Sequence, residues 1–185
     1  MRYIARWGLM RNALPENIQE HSHMVAVLAH ALGVIRRDIF HQPCDVNALA
    51  TAALYHDASE ILTGDLPTPI KYHNAEIMAA YHAVEDLAVQ KLLGMLPPEL
   101  RGTYADVLAE DKDGDIYPLV KAADKLSAYI KCIEERKAGN NEFLSAEAQT
   151  RAALEASPLP EVQYFLEHFI PAFERDLDEL GAIGQ

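Results

Sequence analysis

Four side chains in this 185-residue sequence have the chemistry to hold a divalent cation: His21, His56, Asp57 and Asp124. His21 precedes Met24 and Val25 at helical spacing, which places it on the apolar face of its helix. His56 follows Leu49 and Ala53 in the same way, with Asp57 beside it, and Asp124 lies among Val120, Ala123 and Ser127. An isolated inward histidine is ordinarily a core residue satisfied by protein partners. An inward aspartate is harder to explain, because burying its charge costs several kcal/mol or raises its pKa. Acids and imidazoles from three helices meeting around one cation remove that cost and leave neutral imidazole nitrogens as donors. Such a set suits a first-row ion in open octahedral geometry, with positions left for water and substrate. The pattern does not choose among manganese, cobalt, iron, nickel and zinc, and spacing alone leaves the ordinary-core alternative standing.

Other residues bear on the same chemistry. Glu60, one turn after His56, is a candidate for proton transfer or water orientation. It is equally a candidate for an outer partner that steers the His56 ring. Arg2, Arg6 and Arg11 precede the first acidic residue, Glu16, in a chain that is otherwise acidic. They read either as a positive lip for a phosphate or as a solvated tail. Lys121 and Lys125 flank Asp124 and are expected to face solvent or attract phosphate weakly. His23, His30, His41, His73, His82 and His168 carry no partner pattern, so neither they nor a second metal are expected in the site. The aspartates of EDKDGD (110–115) lack the twelfth-position glutamate of a calcium loop and read as a solvated turn.

The elements that must position these groups are helical almost throughout. Asn17 caps a first helix with Glu20 in capping-box position, and Met24, Val25, Leu28, Leu32 and Ile35 mark its apolar face. Asp45 starts a second helix that passes through Leu49, Ala52, Ala53 and His56 and is expected to end at Gly64. The stretch from Asp65 to Pro69 is proline-stiffened and is expected to be non-helical inside. Asn74 opens a third helix through Ile77, Tyr81, Val84, Leu87 and Leu92, and Pro97–Pro98 begins a fourth that runs towards Glu110. A long helix over 117–137 ends near Gly139, and two more cover roughly 142–156 and 160–180. No run reads as strand, so the fold class is all-α, one helical-bundle domain over 1–185.

Composition narrows the function. The formal charge of -12 argues against nucleic acid as a main partner and against an anionic membrane surface. No segment has the apolar length of a membrane span, and the N-terminus lacks the features of a signal peptide, so a cytoplasmic protein is expected. Cys44 and Cys132 read as two reduced thiols in or near the core.

The order His21, then His56–Asp57, then Asp124 in VKAADKL resembles the HD-domain superfamily of metal phosphohydrolases. The resemblance extends through Arg6–Trp7, ENIQEHS (16–22), YHDASEILTGDLPTPIK (55–71), VKAADKLSAYIKCIEE (120–135) and GNNEF (139–143). Together these are similar to the bacterial YfbR-like 5′-deoxynucleotidases across essentially the whole chain. That resemblance implies an HD-domain helical bundle that removes phosphate from deoxyribonucleoside 5′-monophosphates with one divalent metal ion, cobalt, manganese or similar. It implies His21, His56, Asp57 and Asp124 as metal ligands; beside them Arg6, from its planar fork, and Glu60, from its place one turn after His56, are read in catalytic roles. It places Arg6, Trp7, Asp65, Leu66, Pro67 and Thr68 at the substrate, along with His21, Asp57 and Asp124, and it suggests a homodimer. In this picture Trp7 forms a wall against the ribose 2′ position, its alternative being plain core, and Asp65 accepts from the 3′ hydroxyl. The rival expectations are hydrolysis of a nucleoside triphosphate or cyclic nucleotide, and a non-catalytic helical module that binds a nucleotide or a partner.

Overall fold

In the computed structural model the chain is all-helical, and its residues are described over 1–71, 73–109, 111, 114–176 and 178–179, with Thr68 described by its backbone alone. Helix α1 (Ile18–Val34) carries the capping box expected at its start: Asn17 Oδ1 accepts from the Gln19 and Glu20 amides, and Glu20 accepts from the Asn17 amide. Its last turn widens into a π-helical turn, Ile35–Ile39. Helix α2 (Val46–Tyr55) is capped by Asp45. Short helices α3 (Glu60–Thr63) and α4 (Thr68–Lys71) follow, then α5 (Ala75–Gly94) capped by Asn74, and α6 (Pro98–Leu108). Helix α7 (Tyr117–Lys137) leads through a 3-10 turn, Asn141–Phe143, to α8 (Leu144–Glu155), α9 (Pro160–His168) and α10 (Ile170–Phe173).

The core forms where α1 lies against both α2 and α7, with α8 packed on α7 and α9 packed on α8 and α1. Val25, Leu28, Leu32, Leu49, Leu126 and Ile130 are at most 3% exposed; burying each such side chain stabilises the fold by about 1.5–3 kcal/mol relative to leaving it in water. Helices α1 and α2 approach closely at Gly33. A Cβ there would stand 2.9 Å from Leu49 Cδ2 and 3.0 Å from Val46 Cγ1, so any larger residue would have to push these side chains aside. Among the described residues no helix is long and apolar enough to cross a membrane.

Three expectations need correction. The second helix does not run to Gly64: it stops at Tyr55, His56 is its C-cap, and the chain turns through residues 56–59 before α3 begins. Gly64 does end α3, at φ 73°. The Asp65–Pro69 stretch is non-helical only to Pro67, because Pro69 sits in the first turn of α4, where its missing amide costs no hydrogen bond. The last helix breaks at Phe169, and Leu180, its expected end, lies outside the described residues. On α5 only Ala88 and Leu93 are buried, while Val84 and Leu87 are 48% and 63% exposed; no second layer covers them. Within EDKDGD, Glu110, Lys112 and Asp113 lie outside the described residues, and the Gly114 amide donates to the Asp111 carbonyl in a turn.

Candidate metal centre

His21 projects from the first turn of α1, Asp124 from the middle of α7, and His56 and Asp57 from the turn after α2. Breaking α2 at Tyr55 is what allows adjacent residues to aim at one point, since neighbours on a continuous helix diverge by about 100°. His21, His56 and Asp124 each place one ligand-type atom within 4.8 Å of the others. Asp57 Oδ2 lies 3.1 Å from His56 Nε2 and 3.5 Å from His21 Nε2, and Asp124 Oδ1 lies 3.2 Å from His21 Nε2.

The two imidazoles are oriented from behind. His56 Nδ1 is 2.7 Å from the Ala53 carbonyl, an acceptor, so that nitrogen carries the proton and donates. His21 Nδ1 meets the buried Ser127 hydroxyl at 3.1 Å. Both rings therefore turn Nε2 into the cluster, and both Nε2 atoms are buried without a hydrogen-bond partner. Two orphaned imidazole nitrogens facing two carboxylates are the donor set a first-row cation accepts, with a hydrogen bond on the opposite ring nitrogen. The imidazole sides are sealed, at 0% and 1% exposure, whereas the side chains of Asp57 and Asp124 are 18% and 30% exposed. The centre opens to solvent along its carboxylate side.

The electrostatics are those of a concentrated acidic cluster. Burial would raise the Asp124 carboxyl, but the neighbouring His21 and His56 imidazoles outweigh it and hold Asp124 well below the usual range. Asp57 is likewise lowered, burial being outweighed by His56. His56 is raised in turn, because the two carboxylates overcome its burial. Arg6 also faces this cluster: its Nη1 is 3.6 Å from Asp57 Oδ2, and Asp124, Asp57, Glu16 and Asp65 together raise its pKa against the burial that would lower it.

Glu60, 6% exposed, is pushed up to about 9 by burial first and then by Asp57 and Asp65, and its Oε2 has no partner. It does not steer His56, because the turn at residues 56–59 separates the two and gives His56 Nδ1 to the Ala53 carbonyl instead. Asp65, Leu66 and Pro67 are half-buried on the segment between α3 and α4, and Asp65 is raised by burial; the Thr68 side chain lies outside the described residues. Helix α5 holds this segment: Tyr81 donates to the Gly64 carbonyl at 3.4 Å, and Lys71 pairs with Glu85 at 2.9 Å. Lys121 Nζ is 3.8 Å from Asp124 Oδ2, while Lys125 is exposed.

Sequence reasoning missed the residue that sets Arg6 and Trp7. Glu16 Oε2 accepts from Arg6 Nε at 3.0 Å and from Trp7 Nε1 at 3.2 Å. Trp7 itself sits at φ 58°, an uncommon backbone for an aromatic residue, with its ring 5.2 Å from that of Phe143. Ser127 was also missed as a partner of His21; its spacing of three from Asp124 on one helix face was the available signal. His23 and His30 are exposed and His82 pairs with Glu85, as expected of residues outside the centre.

Comparison with known proteins places the chain. It is 50% identical over 182 residues to the 5′-deoxynucleotidase YfbR of Shigella boydii, covering 98% of this chain and 92% of that one, and 49% identical to its Escherichia coli counterpart over the same share. A crystal structure of an HD-domain phosphohydrolase from Listeria innocua superposes with a TM-score of 0.81 at 26% identity, covering 92% of this chain and 82% of that one. The cyanophage S-2L HD phosphohydrolase DatZ, solved with dA and one catalytic Zn2+ ion, superposes at 0.57 and 26% identity, covering 95% and 91%. The family model of the YfbR-like 5′-deoxynucleotidases matches residues 1–173, and the chain belongs to that family of hydrolases.

Proposed function

We propose that His21, His56, Asp57 and Asp124 hold one divalent ion, manganese, cobalt or similar, and that the chain uses it to remove phosphate from deoxyribonucleoside 5′-monophosphates. The observation that carries this reading is the pair of buried, unpartnered Nε2 atoms turned towards Asp57 and Asp124. When bound, such an ion lowers the pKa of a coordinated water and polarises a phosphoryl oxygen.

The remaining work falls to the chain. Arg6, fixed through Nε by Glu16, presents its other nitrogens to the phosphate and offsets charge that builds up as the phosphorus–O5′ bond breaks. Water oxygen bonds to phosphorus in line with the departing 5′ oxygen. Glu60, whose charged form is disfavoured by burial and two neighbouring carboxylates, donates a proton to that oxygen and regains one from the attacking water, so that the product phosphate keeps the water's other proton. Trp7, backed by Phe143, walls the sugar pocket against a 2′ hydroxyl, and Asp65, with Leu66, Pro67 and Thr68, contacts the sugar from the segment held by α5. The chain works as one domain over 1–185 in the cytoplasm, as a homodimer; the exposed Val84 and Leu87 of α5 support association.

The test is phosphate release from dAMP and AMP with purified protein, with and without a chelator. Rapid release from dAMP, slow release from AMP, and loss with chelator that added Mn2+ restores are expected. Metal-independent release would overturn the centre, and equal rates on the two nucleotides would overturn the role of Trp7.

A further inference from the structure

The loop that carries Trp7 leaves the bundle and returns to it at a fixed crossing. The Arg6 amide donates to the Glu16 carbonyl at 3.0 Å and the Ile18 amide to the Ile4 carbonyl at 3.0 Å, which closes residues 7–15 into a loop. Its tip is seated on the C-terminal end of α7 and the turn after it. The seat is built around Glu135, a carboxylate with 0% exposure. Glu135 accepts from the Ala13 amide at 2.8 Å, the Leu14 amide at 3.0 Å, Lys131 Nζ at 2.5 Å and Asn140 Nδ2 at 2.7 Å.

Neighbours complete it. Lys131 Nζ also donates to the Leu14 carbonyl and stands over the Phe143 ring, whose centroid is 5.2 Å from that of Trp7. Asn140 donates to the Arg11 carbonyl at 2.7 Å, and Glu142 accepts from the Arg11 amide at 2.9 Å. The stretch GNNEF, which contributes no atom to the metal centre, thus supplies a loop anchor on one side and the surface under Trp7 on the other.

We propose that Glu135 is a positioning residue for substrate binding: it fixes the 7–15 loop, and through the loop and the Lys131–Phe143 contact it sets where Trp7, and next to it Arg6, stand. This rests on the site reading above for what Trp7 and Arg6 do, but not for how they are held. A buried carboxylate with four donors is justified only if all four stay in register. Two of those donors are backbone amides of the loop, so the ion pair on α7 and the loop conformation are one unit. A shift of about 1 Å in groups that orient a substrate costs on the order of 100-fold in rate.

The chain has a single tryptophan, Trp7, so its fluorescence reports this loop without any need for turnover. In Glu135→Gln, with helicity by circular dichroism retained, acrylamide quenching of Trp7 should rise and KM for dAMP should increase by about 10-fold or more, while Mn2+ affinity stays within about twofold. A folded Glu135→Gln with wild-type quenching and KM would overturn the proposal, as would a parallel fall in Mn2+ affinity, which marks general loosening of the bundle. If that variant does not fold, Asn140→Ala removes one of the donors to Glu135 together with the Arg11 carbonyl contact; increased quenching supports the proposal and unchanged quenching overturns it. Absence of phosphate release from the wild-type protein would sink the site reading instead, and the Trp7 measurement would still decide the role of Glu135.

Discussion

Replacing Glu135 by glutamine should make the protein less stable by an amount that depends on pH in a defined direction. In the folded chain this carboxyl lies at about 2, against an ordinary 4.5: burial pushes it up, but Lys131, the Leu14 and Ala13 amides and Asn140 outweigh that. A depressed carboxylate stabilises the fold fully above its unfolded pKa and loses that contribution as pH falls through the folded one. At 1.36 kcal/mol per pKa unit the gap corresponds to an upper figure of about 3 kcal/mol, and about 2–3 kcal/mol is a reasonable expectation at pH 7. By about pH 3 more than half should be gone, because the unfolded carboxyl is by then almost fully protonated while the folded one, at about 2, still holds its charge. The assay is urea unfolding of wild type and Glu135→Gln at a series of pH values, reading the difference between the two so that other acids cancel. A difference that stays constant from pH 7 to pH 3 would refute the claim that these four donors hold an anion. Since typical domains have 5–15 kcal/mol in hand, the variant should still fold at neutral pH.

Other outcomes follow from the same geometry. Gly33→Ala puts a methyl against Leu49 and Val46, an overpacking cost of about 1–3 kcal/mol that a helix-propensity gain of about 1 kcal/mol only partly offsets. Its Tm should therefore fall by about 2–4 °C, and a rise would contradict the close crossing. Ser127→Ala frees the His21 ring and should weaken Mn2+ binding about 10–100-fold by calorimetry, with no change being the refuting result. Arg6→Ala should lower turnover of dAMP about 100-fold or more while Mn2+ affinity changes little. A fully active variant would return Arg6 to a purely structural pairing with Glu16.

The helices were legible because caps and apolar spacing are local signals: Asn17, Asp45 and Asn74 cap where expected. The break after Tyr55 was not, since no glycine or proline marks it and the turn is imposed by what His56 and Asp57 must face. The exposure of Val84 and Leu87 on α5 was not legible either: apolar residues at helical spacing announce a face but not whether anything packs on it. At the site, residue types pointed to His21, His56, Asp57 and Asp124, and the structure brings their side chains together. Ser127, Lys131 and Glu135 on α7, and Glu16 just ahead of α1, escaped notice because a charged or polar residue reads as solvated until its partners, up to 122 residues away in sequence, are known.

The central claim is that two sealed imidazoles and two aspartates from separate elements form one cation site. Calorimetric titration of chelator-stripped protein with Mn2+ tests it most directly, using wild type beside Asp124→Asn, which keeps the size of the side chain and removes its charge. The account predicts one equivalent bound per wild-type chain and no measurable binding to a folded Asp124→Asn. Equal affinity in the two proteins, or none in either, would contradict it.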